Sequence, residues 1–232
     1  MQLGEDTITM SMTLNPVNEA AFQKAVQSLE TLNRAAVFHP TGTGKSCIAW
    51  KVVEAHPQTT FFWLVAGAQR LALRQAELTR YNGGILPGNV RFCDCEKLAA
   101  ATPEQWVRLG EQKPGCIVLD CYHELSAVCW AQSVQKLLRM CPQAKVMGLG
   151  VPNGAPVCAA AQELFADCIV SHMTVAEAMA AGTMPVPSAY AALLWPQEEE
   201  LATLRARIKN LCMPKGDTSL RVQYEELSWS LR

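Results

Sequence analysis

Two short stretches carry residue types that could do chemistry on a phosphate. The first is Pro40-Thr41-Gly42-Thr43-Gly44-Lys45-Ser46, set between an apolar run and a helical pattern. Glycines let successive backbone N–H groups curl toward one point, and a helix N-terminus behind them adds positive dipole. A lysine placed there reaches the β- and γ-phosphates of a nucleotide, and the serine hydroxyl after it ligates Mg²⁺. The strict form of this pattern has a further glycine, where this chain has His39. The second stretch, CIVLDCYHE, spans residues 116–124. Its Asp120 ends an apolar run 75 residues after Lys45, where a carboxylate can hold Mg²⁺ beside a phosphate loop. A strand-end aspartate can equally cap the next helix, and it is the loop upstream that favours the metal reading.

The elements that must position these residues alternate between helical and strand patterns. A helix is predicted from Asn15-Pro16 or Asn18 to about Asn33, then a strand at Ala35–Phe38, the glycine loop, and a helix from Lys45. Further strands are expected at Thr60–Val65, Val90–Cys93, Cys116–Leu119 and Ala144–Gly148. Helices are expected at Gln69–Tyr81, from Thr102 with Gln105 closing a capping box, and at Ser126–Met140, Gly154–Phe165 and Val175–Ala181. Such alternation implies an α/β fold with a mainly parallel sheet covered on both faces. Past Pro187, residues 196–212 and 217–231 read as charged amphipathic helices without strands between them.

Composition narrows the class. Half of the 232 residues are apolar and 18% are charged, enough to bury a core. A net charge of -1 argues against holding nucleic acid by bulk electrostatics, although a local groove could still be basic. The ten cysteines include no C-x-x-C pair, and most interrupt apolar stretches, which suits reduced thiols acting as small hydrophobes. The N-terminus has acids where a signal peptide needs a basic stretch, and no run approaches the ~18 apolar residues of a membrane span. A cytoplasmic protein with no membrane partner is the expectation.

RAAVFHPTGTGKSCIAWKVVEAHP resembles motif I and its helix in superfamily 2 DEAD/DEAH-type helicases, closest to the type III restriction-subunit-like group. FFWLVAG stands at the second strand and motif Ia, CEKLAA at a small helix after the third strand, and CIVLDCYHE at the Asp-Glu-x-His box. KVMGLGVPN stands at the strand ending in motif III. The resemblance spans roughly residues 18–190 and implies a three-layer RecA-like P-loop NTPase domain. It also implies a cofactor set of ATP or ADP with Mg²⁺, held by Pro40–Ser46 and by Ser46 and Asp120 respectively. Residues 1–17 would be a lead segment and 191–232 a helical C-terminal appendage.

The departures from the family bear on activity. Its water-activating glutamate is Cys121 here, which offers no carboxylate base. His123 matches the box histidine, which in the family links the nucleotide site to motif III, but motif III itself reads Gly150-Val151-Pro152 and lacks both hydroxyls. Asn18 and Phe22 stand where such proteins contact adenine, and a helix cap and a core aromatic explain them as well. Motors of this family close two RecA-like domains on one ATP, and about forty residues after Tyr190 are too few for a second. The leading expectation is a nucleotide-binding domain that hydrolyses weakly or not at all within a nucleic-acid-associated assembly. The alternatives are an active DNA or RNA helicase fragment needing a partner chain with the second RecA-like domain, and a protein-interaction scaffold without nucleotide.

Overall fold

The computed structural model describes residues 12–120, 122, 128–152 and 163–185. They fall within one compact unit, Met1–Val186; the second unit, Pro187–Arg232, lies outside the described residues.

Helix α1 (Pro16–Thr31) begins where Asn15 accepts the Asn18 N–H at 2.8 Å and Pro16 supplies a preset first turn. Strand β1 (Arg34–Phe38) follows, then α2 (Lys45–Ala55), β2 (Phe61–Val65) and α3 (Ala68–Tyr81). Next come β3 (Val90–Asp94), the short α4 (Cys95–Ala99), α5 (Pro103–Glu111) and β4 (Cys116–Leu119). The described chain closes with α6 (Val128–Met140), β5 (Lys145–Gly150), β6 (Ile169–His172) and α7 (Val175–Ala180). The capping box of Thr102 and Gln105 forms as the sequence predicts, and Thr174 with Glu177 makes a second.

The six strands form one sheet in the order β3-β2-β4-β5-β1-β6, with every pairing parallel. From β1 to β2 to β3 the chain moves one way across the sheet, and from β3 through β4 and β5 to β6 it moves back. Because parallel crossovers are right-handed, this reversal puts α2 and α3 on one face and α4, α5 and α6 on the other. The buried side chains divide accordingly. Val37, Trp63, Val118 and Met147 pack with Ala21, Ile48, Val53 and Leu78 of α1, α2 and α3. Phe38, Phe62, Ile117 and Leu119 pack with Leu98, Trp106, Leu137 and Phe165 on the opposite face. Strands buried on both sides need continuous apolar runs such as FFWLV, and each large side chain so buried contributes about 1.5–3 kcal/mol.

Two strand readings are corrected. β5 continues two residues past Gly148 to Gly150, and β6 is a strand the sequence pattern does not announce. Only four residues long and half-buried, β6 sits at the sheet edge, where burial imposes little alternation. Among the described residues no helix is long and apolar enough to cross a membrane.

Candidate functional site

Strands β1 and β4 lie on either side of β5, so the loop after β1 and the acid after β4 both leave the same, C-terminal, edge of the sheet. Ligands of open α/β sheets bind outside this edge.

The loop from His39 to Gly44 is built largely from its own backbone. Gly42 and Gly44 have φ of 86° and 90°, in the left-handed region where a Cβ is costly. His39 is not among the described residues with positive φ, so this position does not demand the glycine of the strict pattern. Thr43 Oγ1 donates to the Pro40 carbonyl at 2.8 Å, and Lys45 Nζ donates to the His39 and Pro40 carbonyls, each at 2.8 Å. Buried Asn18, from α1, donates through Nδ2 to the Thr43 carbonyl at 2.8 Å. A Cβ on Gly44 would stand 2.7 Å from that nitrogen, so Gly44 is required by contact as well as by conformation. Asn15 is the cap of α1, which leaves Asn18 as a brace of the loop; Phe22 packs half-buried against the core.

Helix α2 starts directly from Gly44, with no side chain capping its first N–H groups. These donors, the two left-handed glycines and Lys45 form an anion cradle of the kind that takes phosphate. Thr41 and Gly42 are exposed, and Ser46 is half-buried in the first turn of α2. The loop fits the phosphates of a nucleotide.

His39 is wholly buried. Its Nε2 lies 2.7 Å from Ser171 Oγ of β6, while Nδ1 is buried without a partner. Burial, then the charge of Lys45 and the neighbouring His172, pull its pKa from 6.5 to about 4. The imidazole is therefore neutral at physiological pH and ties the start of the loop to the edge strand.

Asp120 stands at the end of β4, only 2% exposed, on the sheet face that carries α1, α2 and α3. Its Oδ2 accepts from Arg74 Nε of α3 at 2.6 Å and from the buried Trp63 indole of β2 at 3.2 Å. Arg74 also donates through Nη1 to Glu77 one turn along α3. Burial works against the charged guanidinium, but Asp120 and Glu77 together outweigh it and raise the Arg74 pKa. The same helix reaches α2: Cys47 Sγ donates to Tyr81 Oη at 3.8 Å. Burial raises the Cys47 thiol, with smaller influences from Tyr81, Glu77 and Arg74. Mg²⁺ is expected at Ser46 and Asp120, but Asp120 Oδ2 already carries the Arg74 guanidinium. The fit to phosphate is good; the fit of Asp120 to a metal is not. Neither Arg74 nor Trp63 carries a motif signal in the sequence, because their roles depend on sheet order.

The end of β5 is shaped by packing. A Cβ on Gly148 would come within 2.6 Å of the Phe165 ring, and one on Gly150 would overlap the ring of Phe38. The backbone carbonyl of Gly150 accepts the His39 N–H at 3.2 Å, joining this strand end to the phosphate loop. Cys121 and His123 lie outside the described residues. Tyr122 between them is buried and meets Phe165 edge-on at 5.3 Å. Burial pushes Cys93, Cys95 and Cys116 up to about 12, so these thiols stay protonated and unreactive. Among the described residues no three His, Cys, Asp or Glu side chains form a metal-holding group.

Strand order and two-faced helix cover define a three-layer α/β fold with an all-parallel six-stranded sheet. A hypothetical ATP-dependent RNA helicase from Sulfolobus tokodaii resembles the chain with a TM-score of 0.46 and 12% identity, covering 69% of this chain and 56% of that one. Domain III of the replication initiation protein DnaA from Thermotoga maritima gives a TM-score of 0.37 and 12% identity, covering 93% of this chain and 79% of that one. The chain thus spans a little over half the length of the helicase it resembles. No protein-family model matches the sequence, and no curated protein does.

Proposed function

We propose that this chain is a helicase-like RecA domain that binds ATP or ADP and hydrolyses it weakly or not at all, as a regulatory or scaffolding part of a nucleic-acid-associated assembly. The observation that carries the reading is the loop itself: two left-handed glycines, an uncapped helix start and Lys45, braced from α1 by Asn18. Any Mg²⁺ that accompanies such nucleotides would meet the Ser46 hydroxyl and the phosphates rather than Asp120, and affinity would not depend on it. Cys121 in place of the family's glutamate, and Gly150-Val151-Pro152 in place of its hydroxyl triplet, support poor turnover.

Calorimetric titration with ATP and with ADP tests the binding. Micromolar affinity is expected, falling at least ~10-fold in Lys45→Ala while the melting temperature stays within a few degrees. Absence of binding to the unmutated chain would leave only the scaffold reading. An ATPase assay with and without DNA or RNA then separates the quiet domain from an active fragment: nucleic-acid-stimulated turnover would establish the latter.

A further inference from the structure

We propose that Arg74 is the built-in counter-cation of Asp120, so that the domain takes the polyphosphate of ATP or ADP without a divalent metal bound to Asp120. The proposal rests on the nucleotide-binding reading above and specifies how that site balances its charge. Asp120 is buried, and its Oδ2 receives a charge-assisted hydrogen bond from Arg74 at 2.6 Å and a second from the Trp63 indole at 3.2 Å. A Mg²⁺ ligand must offer an oxygen at about 2.0–2.1 Å in near-octahedral geometry, to an ion that sheds its waters reluctantly. Two nitrogen donors at hydrogen-bond distance occupy Oδ2, and the guanidinium on the same carboxylate would repel an ion approaching either oxygen.

Arg74 is not a loose surface charge that could simply swing away. It is mostly buried, with 19% of its side chain exposed, and Glu77 grips its other edge from the next turn of α3. Displacing it from Asp120 would strand a partly buried guanidinium with one carboxylate where it had two. The neighbouring pair of Tyr81 and Cys47 holds α3 against the first turn of α2, the turn that carries Ser46. The charge that a metal would bring to Asp120 is therefore already supplied by the chain.

The test compares ADP and ATP affinity of the full chain in EDTA and in millimolar Mg²⁺. The expected result is a Kd that differs by less than ~2-fold between the buffers, whereas Arg74→Gln gains at least ~10-fold from Mg²⁺ and Arg74→Lys remains indifferent to it. Asp120→Asn should also remain indifferent, and this arm does not depend on the Arg74 variants folding. Binding by the unmutated chain that tightens ~10-fold or more in Mg²⁺, with Asp120→Asn losing that gain, would overturn the proposal and leave nucleotide binding intact. No binding in either buffer would overturn both.

Discussion

His39 occupies the position at which the strict phosphate-loop pattern has a glycine, and it does work that a glycine could not. Its ring anchors the end of β1 to Ser171 of β6, at the cost of one buried, unpartnered nitrogen. The energetics follow from its titration. In the unfolded chain the imidazole takes up a proton near 6.5, whereas the folded group waits until about 4. Between those values the unfolded state binds more protons, so stability is full above pH 6.5 and declines as pH falls toward 4. Urea unfolding at pH 7 and pH 4.5 should show a loss of about 2 kcal/mol that is attributable to this residue. His39→Gln, which cannot charge, should lose that much less over the same interval; an unchanged slope in the variant would mean that the ring is solvated. The sequence marks His39 only as a departure from a motif. Its partner lies 132 residues away on a strand with no clear pattern, so neither the bond nor the lowered pKa could be read in advance.

At the scale of elements, β5 shows why positions 148 and 150 are glycines. Gly148 and Gly150 point to the same face two residues apart, and each makes room for an aromatic ring, Phe165 for the first and Phe38 for the second. Placing a hydroxyl there with Gly150→Ser therefore drives a Cβ into the Phe38 ring. The expected cost is about 2–3 kcal/mol, the range for overpacking a dense core. A double-mutant cycle with Phe38→Ala should show favourable coupling of more than ~1 kcal/mol, because the smaller side chain vacates the contested space. Simple additivity would show that the ring moves aside unaided. The apolar strands β1, β2 and β4 and the capped helix α5 were legible because local chemistry determines them: runs buried on both faces, and Thr102 with Gln105. β6 was not legible, because its four residues are held by pairing with β1 through an irregular register between Ala36 and Val37 rather than by a pattern of their own.

For the whole molecule, the sheet decides which groups meet at one edge. The sheet brings a phosphate cradle and an acidic strand end to one edge, with β5 between them, and alternation along the sequence was enough to expect that much. The order of strands, and with it the meeting of Arg74, Trp63 and Asp120, arises from crossovers between distant segments and has no local signature. On the proposed function, hydrolysis would need a positioned water, a metal beside the phosphates and an arginine on the transferring phosphoryl group. A general base is worth ~10²–10⁴ in rate and an arginine finger ~10³–10⁵, so a site wanting both is slowed by the two factors together. Returning the glutamate alone, as Cys121→Glu, should therefore leave kcat of the isolated chain below about 0.01 s⁻¹, far under the ~1–100 s⁻¹ of ordinary phosphoryl-transfer enzymes. Steady-state phosphate release with saturating ATP, Mg²⁺ and single- or double-stranded nucleic acid measures it. Combining Cys121→Glu with Arg74→Gln should raise turnover above that of either single change, since one variant supplies the base and the other frees the acid for metal. If Cys121→Glu alone reaches ~1 s⁻¹, then neither the Arg74 pair nor an arginine from another domain limits the chemistry, and the site is one glutamate away from a working ATPase.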